Sequence, residues 1–179
     1  MKVFIGCSSR DKIDRIYIEQ ARCLADYLAK NNYDLLTGGA VGVMQVVIDS
    51  FKKNKRDITV MVVDGYQEVL DKSLRLYHYK RVGDRKYALI NNANLAIFLP
   101  GGIGTYDEIF TAIESKRARE HDLNIIIVNI NGYYDGIIKQ LDRMYQENFA
   151  DYNNNLYYVS NDIDSAIKYI KELGVDNGF

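Results

Sequence analysis

Four short runs of this chain are apolar at nearly every position: "KVFIG" (Lys2–Gly6), "ITVMVV" (Ile58–Val63), "LAIFLP" (Leu95–Pro100) and "NIIIVNI" (Asn124–Ile130). A strand with one face in water alternates apolar and polar residues. A strand apolar on both faces must be covered on both, and that is the situation of a parallel sheet between two layers of helix. Amphipathic stretches separate the runs. "IDRIYIEQARCLADYLAKN" places Tyr17, Ala21, Leu24 and Leu28 at helical spacing, and "VGVMQVVIDSFKK", "DRKYALINNA", "TYDEIFTAIESKRARE", "YYDGIIKQLDRMYQENF" and "DIDSAIKYIKEL" read as further helices. "YDLLTGG" and "LYYV" (Leu156–Val159) read as strands, "LYHYKRV" as a short strand, and Asp64–Arg75 as a loop with one turn. The expectation is an α/β fold, a three-layer Rossmann-like domain with a mainly parallel sheet flanked by helices. It spans 1–179 as one domain, with right-handed connections and a frayed "GVDNGF" end.

Composition narrows the function classes. The 179 residues carry a formal net charge of −1, without the basic excess of a dedicated nucleic-acid binder. Cys7 and Cys23 form neither a metal-ligand spacing nor a disulfide framework, which suits reduced thiols in the cytoplasm. No signal-peptide pattern and no run approaching a membrane span is present. The expected partner is therefore a small molecule rather than nucleic acid or membrane.

In such sheets ligands bind beyond the carboxyl ends of the strands, so the strand-to-helix turns matter most. The turn "PGGIGT" holds the chain's one proline, Pro100, and three of its thirteen glycines. Glycines let backbone approach a ligand closely, and N–H groups at a helix start favour an anion. Pro100 stiffens the entry, and Thr105 adds a hydroxyl. The stretch "TYDE" also fits a capping box, with Thr105 at N-cap and Glu108 at N3 bonding only the Thr105 amide. The turn "TGGAVGVM" (Thr37–Met44) is a near-match to the dinucleotide fingerprint with different spacing, and Asp64 stands where the acid would follow. Neither turn carries the Gly-Lys-Ser/Thr of an ATPase. Cys7 reads as a strand-end packing residue with Ser8 and Ser9 beside it. His78 and His121 are isolated, and "KKNKR" reads as an exposed helix end.

"PGGIGTYDE" resembles the PGGxGTxxE signature of the LONELY GUY (LOG) family, the cytokinin riboside 5′-monophosphate phosphoribohydrolases and their bacterial relatives. "GCSS" after the first strand, "GGAVGVM", "DRK" (Asp84–Lys86) and "NGYYD" (Asn131–Asp135) match family stretches in the same order. The resemblance implies that Arg85 and Glu108 take part in cleaving an N-glycosidic bond. It implies that Gly101, Gly102, Gly104 and Thr105 bind phosphate, with Lys86, Ser8, Gly38, Gly39 and Met44 as further substrate contacts. It also implies a homodimer or higher oligomer, no metal and no cofactor. Many relatives carry a lysine decarboxylase label, but no pyridoxal-phosphate lysine motif stands in this chain. Three departures from the family pattern concern the base side of the site. Gly83 replaces a histidine before the Arg-Lys pair, Arg117 lies near a glutamine position, and Thr37 replaces the first glycine of a triplet. Arg117 and Arg119 read as a solvated helix face, or as reaching a neighbouring subunit's substrate.

The implied reaction is hydrolysis of a nucleoside 5′-monophosphate, AMP or N6-modified AMP, to base and ribose 5-phosphate. A carboxylate such as Glu108 stabilises oxocarbenium character at the ribose, and Arg85 supplies a permanent cation. Two other classes fit the same residues: a non-catalytic nucleotide-binding protein and a base or deoxyribose transferase. A third reading, an assembly protein, makes the glycine turns purely structural.

Overall fold

The computed structural model describes residues 1–39, 41–65, 71, 73–151 and 155–174. Within them the elements run β1 (Lys2–Gly6), α1 (Arg15–Lys30), β2 (Asp34–Thr37), α2 (Val43–Lys53), β3 (Ile58–Val63), β4 (Arg75–Tyr79), α3 (Val82–Asn91), β5 (Leu95–Phe98), α4 (Ile103–Arg117), β6 (Asn124–Val128), α5 (Asp135–Gln146), β7 (Tyr158–Ser160) and α6 (Ile163–Glu172). The seven strands form one sheet in the order β4-β3-β2-β1-β5-β6-β7, and every pair is parallel. The α/β three-layer reading holds. The "GVDNGF" end beyond Gly174, and much of the stretch between Asp64 and Arg75, lie outside the described residues.

Period-two alternation divides the core into two layers. Val3, Ile5, Leu35, Val60, Ile97 and Ile126 face one side and pack with Leu24, Leu28, Val47, Ile48, Ala166 and Ile170 of α1, α2 and α6. Phe4, Leu36, Met61, Phe98, Ile125 and Ile127 face the other and pack with Leu89, Ile109, Ala112, Ile137 and Leu141 of α3, α4 and α5. Neighbouring positions of one strand thus serve opposite layers, which is why the central strands read as continuous apolar runs. β4 pairs only with β3 and is half exposed, as its mixed sequence "RLYHY" suggests.

The strand order reverses between β1 and β5. β1 continues to β2 on one side, while β5 pairs on the other in the register Val3–Leu95 to Gly6–Phe98. The ladder runs one step further, with the Leu99 amide donating to the Gly6 carbonyl at 2.9 Å. A crevice opens where the two chains diverge, beyond Gly6 and Leu99.

Gly42 fixes the turn before α2 against the turn after β1. It has φ +61°, and a Cβ there would lie 2.4 Å from the Ser9 carbonyl carbon. Gly42→Ala therefore combines a left-handed backbone with a clash against main chain. It should lower unfolding free energy by at least roughly 1–3 kcal/mol, read as a fall in the urea midpoint.

Candidate active site

The "PGGIGT" turn is built by strand end, tyrosines and threonine together. Pro100 and Gly101 are buried, and the helix that follows starts at Ile103 with Gly102 as its N-cap. The Gly102 carbonyl accepts from the Thr105 and Tyr106 amides at 3.0 and 3.1 Å. This corrects the capping-box reading. Thr105 lies inside the first turn, and its hydroxyl donates instead to the Cys7 carbonyl at 3.4 Å. Its side chain fills the space over Gly101, where a Cβ would meet Thr105 Oγ1 at 2.2 Å, so this position requires glycine. Glu108 consequently sits a full turn into α4 and is buried, far from any cap.

Two consecutive tyrosines hold the turn from behind. The Tyr134 hydroxyl donates to the Leu99 carbonyl at 2.7 Å, and the Tyr133 hydroxyl donates to the Gly101 carbonyl at 2.6 Å. A short 3-10 turn, Ile130–Gly132, presents them, and the Asn129 side chain accepts from the Tyr134 amide at 2.6 Å. Sequence reasoning gave these tyrosines no role. They stand more than thirty residues from the turn they hold, and only the "NGYYD" match pointed to the stretch.

Arg85 and Glu108 form a buried ion pair. Arg85 Nη2 donates to Glu108 Oε1 at 3.1 Å, and Arg85 Nη1 donates to the Gly38 carbonyl at 3.0 Å. The residues are 9% and 7% exposed. Gly38 makes room for the guanidinium, since a Cβ there would lie 3.0 Å from Nη1. Gly6 does the same for the carboxyl, with a Cβ position 3.2 Å from Glu108 Oε2 and 2.7 Å from the Phe98 ring. The second glycine turn thus serves Arg85 through Gly38. Buried Nε of Arg85 has no hydrogen-bond partner among the described residues.

These groups line a cleft of about 380 Å³ at the switch point, shared by Cys7, Ser8, Arg10, Gly38, Met44, Val82, Arg85, Gly102, Ile103, Gly104, Thr105 and Glu108. Gly102 and Gly104 have open space on their Cβ sides, and Ile103 between them is 90% exposed. The first amides of α4 are the ones that lack an intrahelical acceptor. Gly101 and Gly39 are buried beside the cleft rather than on its wall. Lys86 points elsewhere, to Asp107 of α4 at 2.7 and 2.8 Å. Ser8 Oγ accepts from the Arg10 amide at 3.0 Å. Asp64 lies outside the cleft and contacts exposed His78 at 3.1 Å, while Arg117 pairs with Glu114 on a solvated face. Burial and the nearby Glu108 push the Cys7 thiol far up, so it stays protonated.

The Glu108 carboxyl is pushed up to about 7, chiefly by burial, against the opposing pull of Arg85. Asp107 adds to the rise and Lys86 to the pull. Between its ordinary 4.5 and about 7 the folded protein holds a proton that the unfolded chain has released. This contribution to stability is complete below the unfolded value and is lost as pH rises through the folded one. Wild type should lose ~3 kcal/mol relative to Glu108→Gln across that window, measured by urea unfolding at a series of pH values.

Known proteins resemble this chain over most of its length. Residues 37–170 match the family described as "Possible lysine decarboxylase". The chain is 28% identical over 152 residues to the Arabidopsis thaliana cytokinin riboside 5′-monophosphate phosphoribohydrolase LOG2, covering 83% of this chain and 70% of that one. It is 26% identical over 175 residues to LOG1 of the same plant, covering 96% and 80%. Among solved structures, the molybdenum cofactor carrier protein of Chlamydomonas reinhardtii aligns with a TM-score of 0.72 at 17% identity, covering 97% and 98%. The molybdenum cofactor binding protein of Rippkaea orientalis aligns at 0.66 and 18%, covering 96% and 95%, so both share the fold. With three quarters of its length inside the family match, the chain belongs to the "Possible lysine decarboxylase" (LOG) family.

Proposed function

We propose that this protein hydrolyses the N-glycosidic bond of a nucleoside 5′-monophosphate, AMP or an N6-modified AMP, releasing base and ribose 5-phosphate. The observation that carries the reading is the buried Arg85–Glu108 pair on the wall of a cleft whose rim is the start of α4. The names of the relatives point to the same reaction class.

In this reading the 5′-phosphate lies at the amino end of α4, against the Gly102 and Gly104 amides, where the helix dipole favours negative charge. The ribose then extends along the cleft toward Glu108. As the C1′–N bond breaks, its electron pair leaves with the base and positive charge develops on the ribose. Ionised Glu108 stabilises that charge and takes a proton from the water that attacks C1′. Arg85 keeps a permanent cation beside the carboxylate and the departing base; guanidinium is too weak an acid to protonate the base, which takes its proton from water. Thr105 acts by shaping the turn, since its hydroxyl is committed to Cys7. Lys86 supports the site by joining α3 to α4 through Asp107.

Amino-acid decarboxylation through pyridoxal phosphate needs a lysine to carry the cofactor as a Schiff base. No lysine lines the cleft among the described residues, so the family's descriptive label does not fit this site.

The test is base release from AMP, N6-modified AMP and the matching nucleosides, followed by chromatography. The monophosphates should be cleaved and the nucleosides left intact. Glu108→Gln should lower kcat by roughly 10²–10³-fold while AMP still binds. Because the ionised carboxyl does the work, kcat/KM should rise with pH through about 7. AMP binding without base release in wild type would leave a nucleotide-binding protein, and sugar transfer to an added base would leave a transferase.

A further inference from the structure

A trans peptide carries its carbonyl and its N–H on opposite edges of one plane. Whatever holds the Gly101 carbonyl therefore decides where the Gly102 N–H points. The Tyr133 hydroxyl holds it, at 2.6 Å. Gly102 lines the cleft and Tyr133 does not, so the N–H opposite that carbonyl is directed to the cleft side. Thr105 packs on Gly101 and the Gly102 carbonyl caps α4, yet neither contact takes the Gly101 carbonyl itself. The peptide joins two glycines, whose backbones accept many conformations, and nothing lies within 4 Å of the Cβ position of Gly102. Tyr133 itself is fixed, with its ring edge-on to Tyr17 at 5.9 Å and to Tyr134 at 5.1 Å.

Tyr134 supplies a built-in comparison. Its hydroxyl holds the Leu99 carbonyl at 2.7 Å, but the nitrogen of that peptide belongs to Pro100 and has no hydrogen. Anchoring it fixes the strand end and directs no donor anywhere.

We propose that Tyr133 is a positioning residue: its hydroxyl sets the Gly101–Gly102 peptide so that the Gly102 N–H faces the cleft, and this gives the cleft much of its affinity for a nucleotide phosphate. The inference rests on the reading of the cleft as a nucleotide site. It does not depend on whether the bound nucleotide is then hydrolysed.

The experiment compares wild type, Tyr133→Phe and Tyr134→Phe by AMP titration calorimetry and by thermal unfolding. Both variants keep the aromatic ring. Tyr133→Phe should weaken AMP binding about tenfold, the equivalent of one hydrogen bond to a charged group, with a smaller change in Tm than Tyr134→Phe, because Tyr133 is 40% exposed and water can approach the place of its hydroxyl. Tyr134→Phe strips a buried carbonyl of its partner, so its Tm should fall while AMP affinity stays near wild type. AMP affinity unchanged in Tyr133→Phe overturns the proposal. So does a loss of affinity that follows Tm equally in both variants. If wild type does not bind AMP, the proposal and the functional reading fall together. If it binds AMP and releases no base, only the hydrolase reading falls, and the Tyr133 comparison still decides the proposal.

Discussion

The contact between Arg85 and Glu108 ties together the elements around the site. A buried ion pair is costly to desolvate, and it persists only where geometry and further hydrogen bonds offset that cost. Here a single carboxylate and the Gly38 carbonyl do so. The pair joins α3 to α4 and fixes both to the turn after β2. Gly38 and Gly6 lack side chains where the guanidinium and carboxyl need space. Such an arrangement adds little net stability, and removing either partner would leave the other charge buried and alone. Its benefit lies in holding a carboxyl with a raised proton affinity next to a cation, at the point where strand order reverses.

The turn at Pro100 follows from the same geometry. The strand end enters a buried corner where the Leu99 carbonyl is taken by Tyr134. A residue with an N–H at position 100 would bring an additional donor into that corner, and proline brings none. Gly101 then lets Thr105 close over the backbone, and Gly102 begins the helix in extended conformation. The glycine-rich stretch thus divides its work. Gly101 is required by packing inside the protein, whereas Gly102 and Gly104 leave backbone open at the rim of the cleft.

Much of the sheet was legible because its central strands are apolar on both faces, and β3 was read at its observed bounds. The pattern of α1 was equally plain, with Ala21, Leu24 and Leu28 buried as their spacing requires. The start of α4 was misplaced because "TYDE" satisfies a local capping rule that tertiary packing overrides: the Thr105 side chain packs over Gly101, and its hydroxyl goes to the Cys7 carbonyl just beyond β1. The role of Gly38 was equally hidden, since a glycine that accommodates an arginine from a later helix looks like one that accommodates a phosphate. Lys86 follows Arg85 directly, yet one residue of helical rotation sends it to Asp107 instead of the cleft. Motif matching pointed to segments that meet at one cleft, and only through-space geometry separated the groups on its wall from those behind it.

The most direct measurement of the account is a crystal structure of the Glu108→Gln protein with AMP bound. The account predicts the phosphate within hydrogen-bonding distance of the Gly102 and Gly104 amides, with C1′ of the ribose facing the residue 108 side chain. A phosphate held elsewhere, or a nucleotide whose C1′ faces away from residue 108, would contradict it.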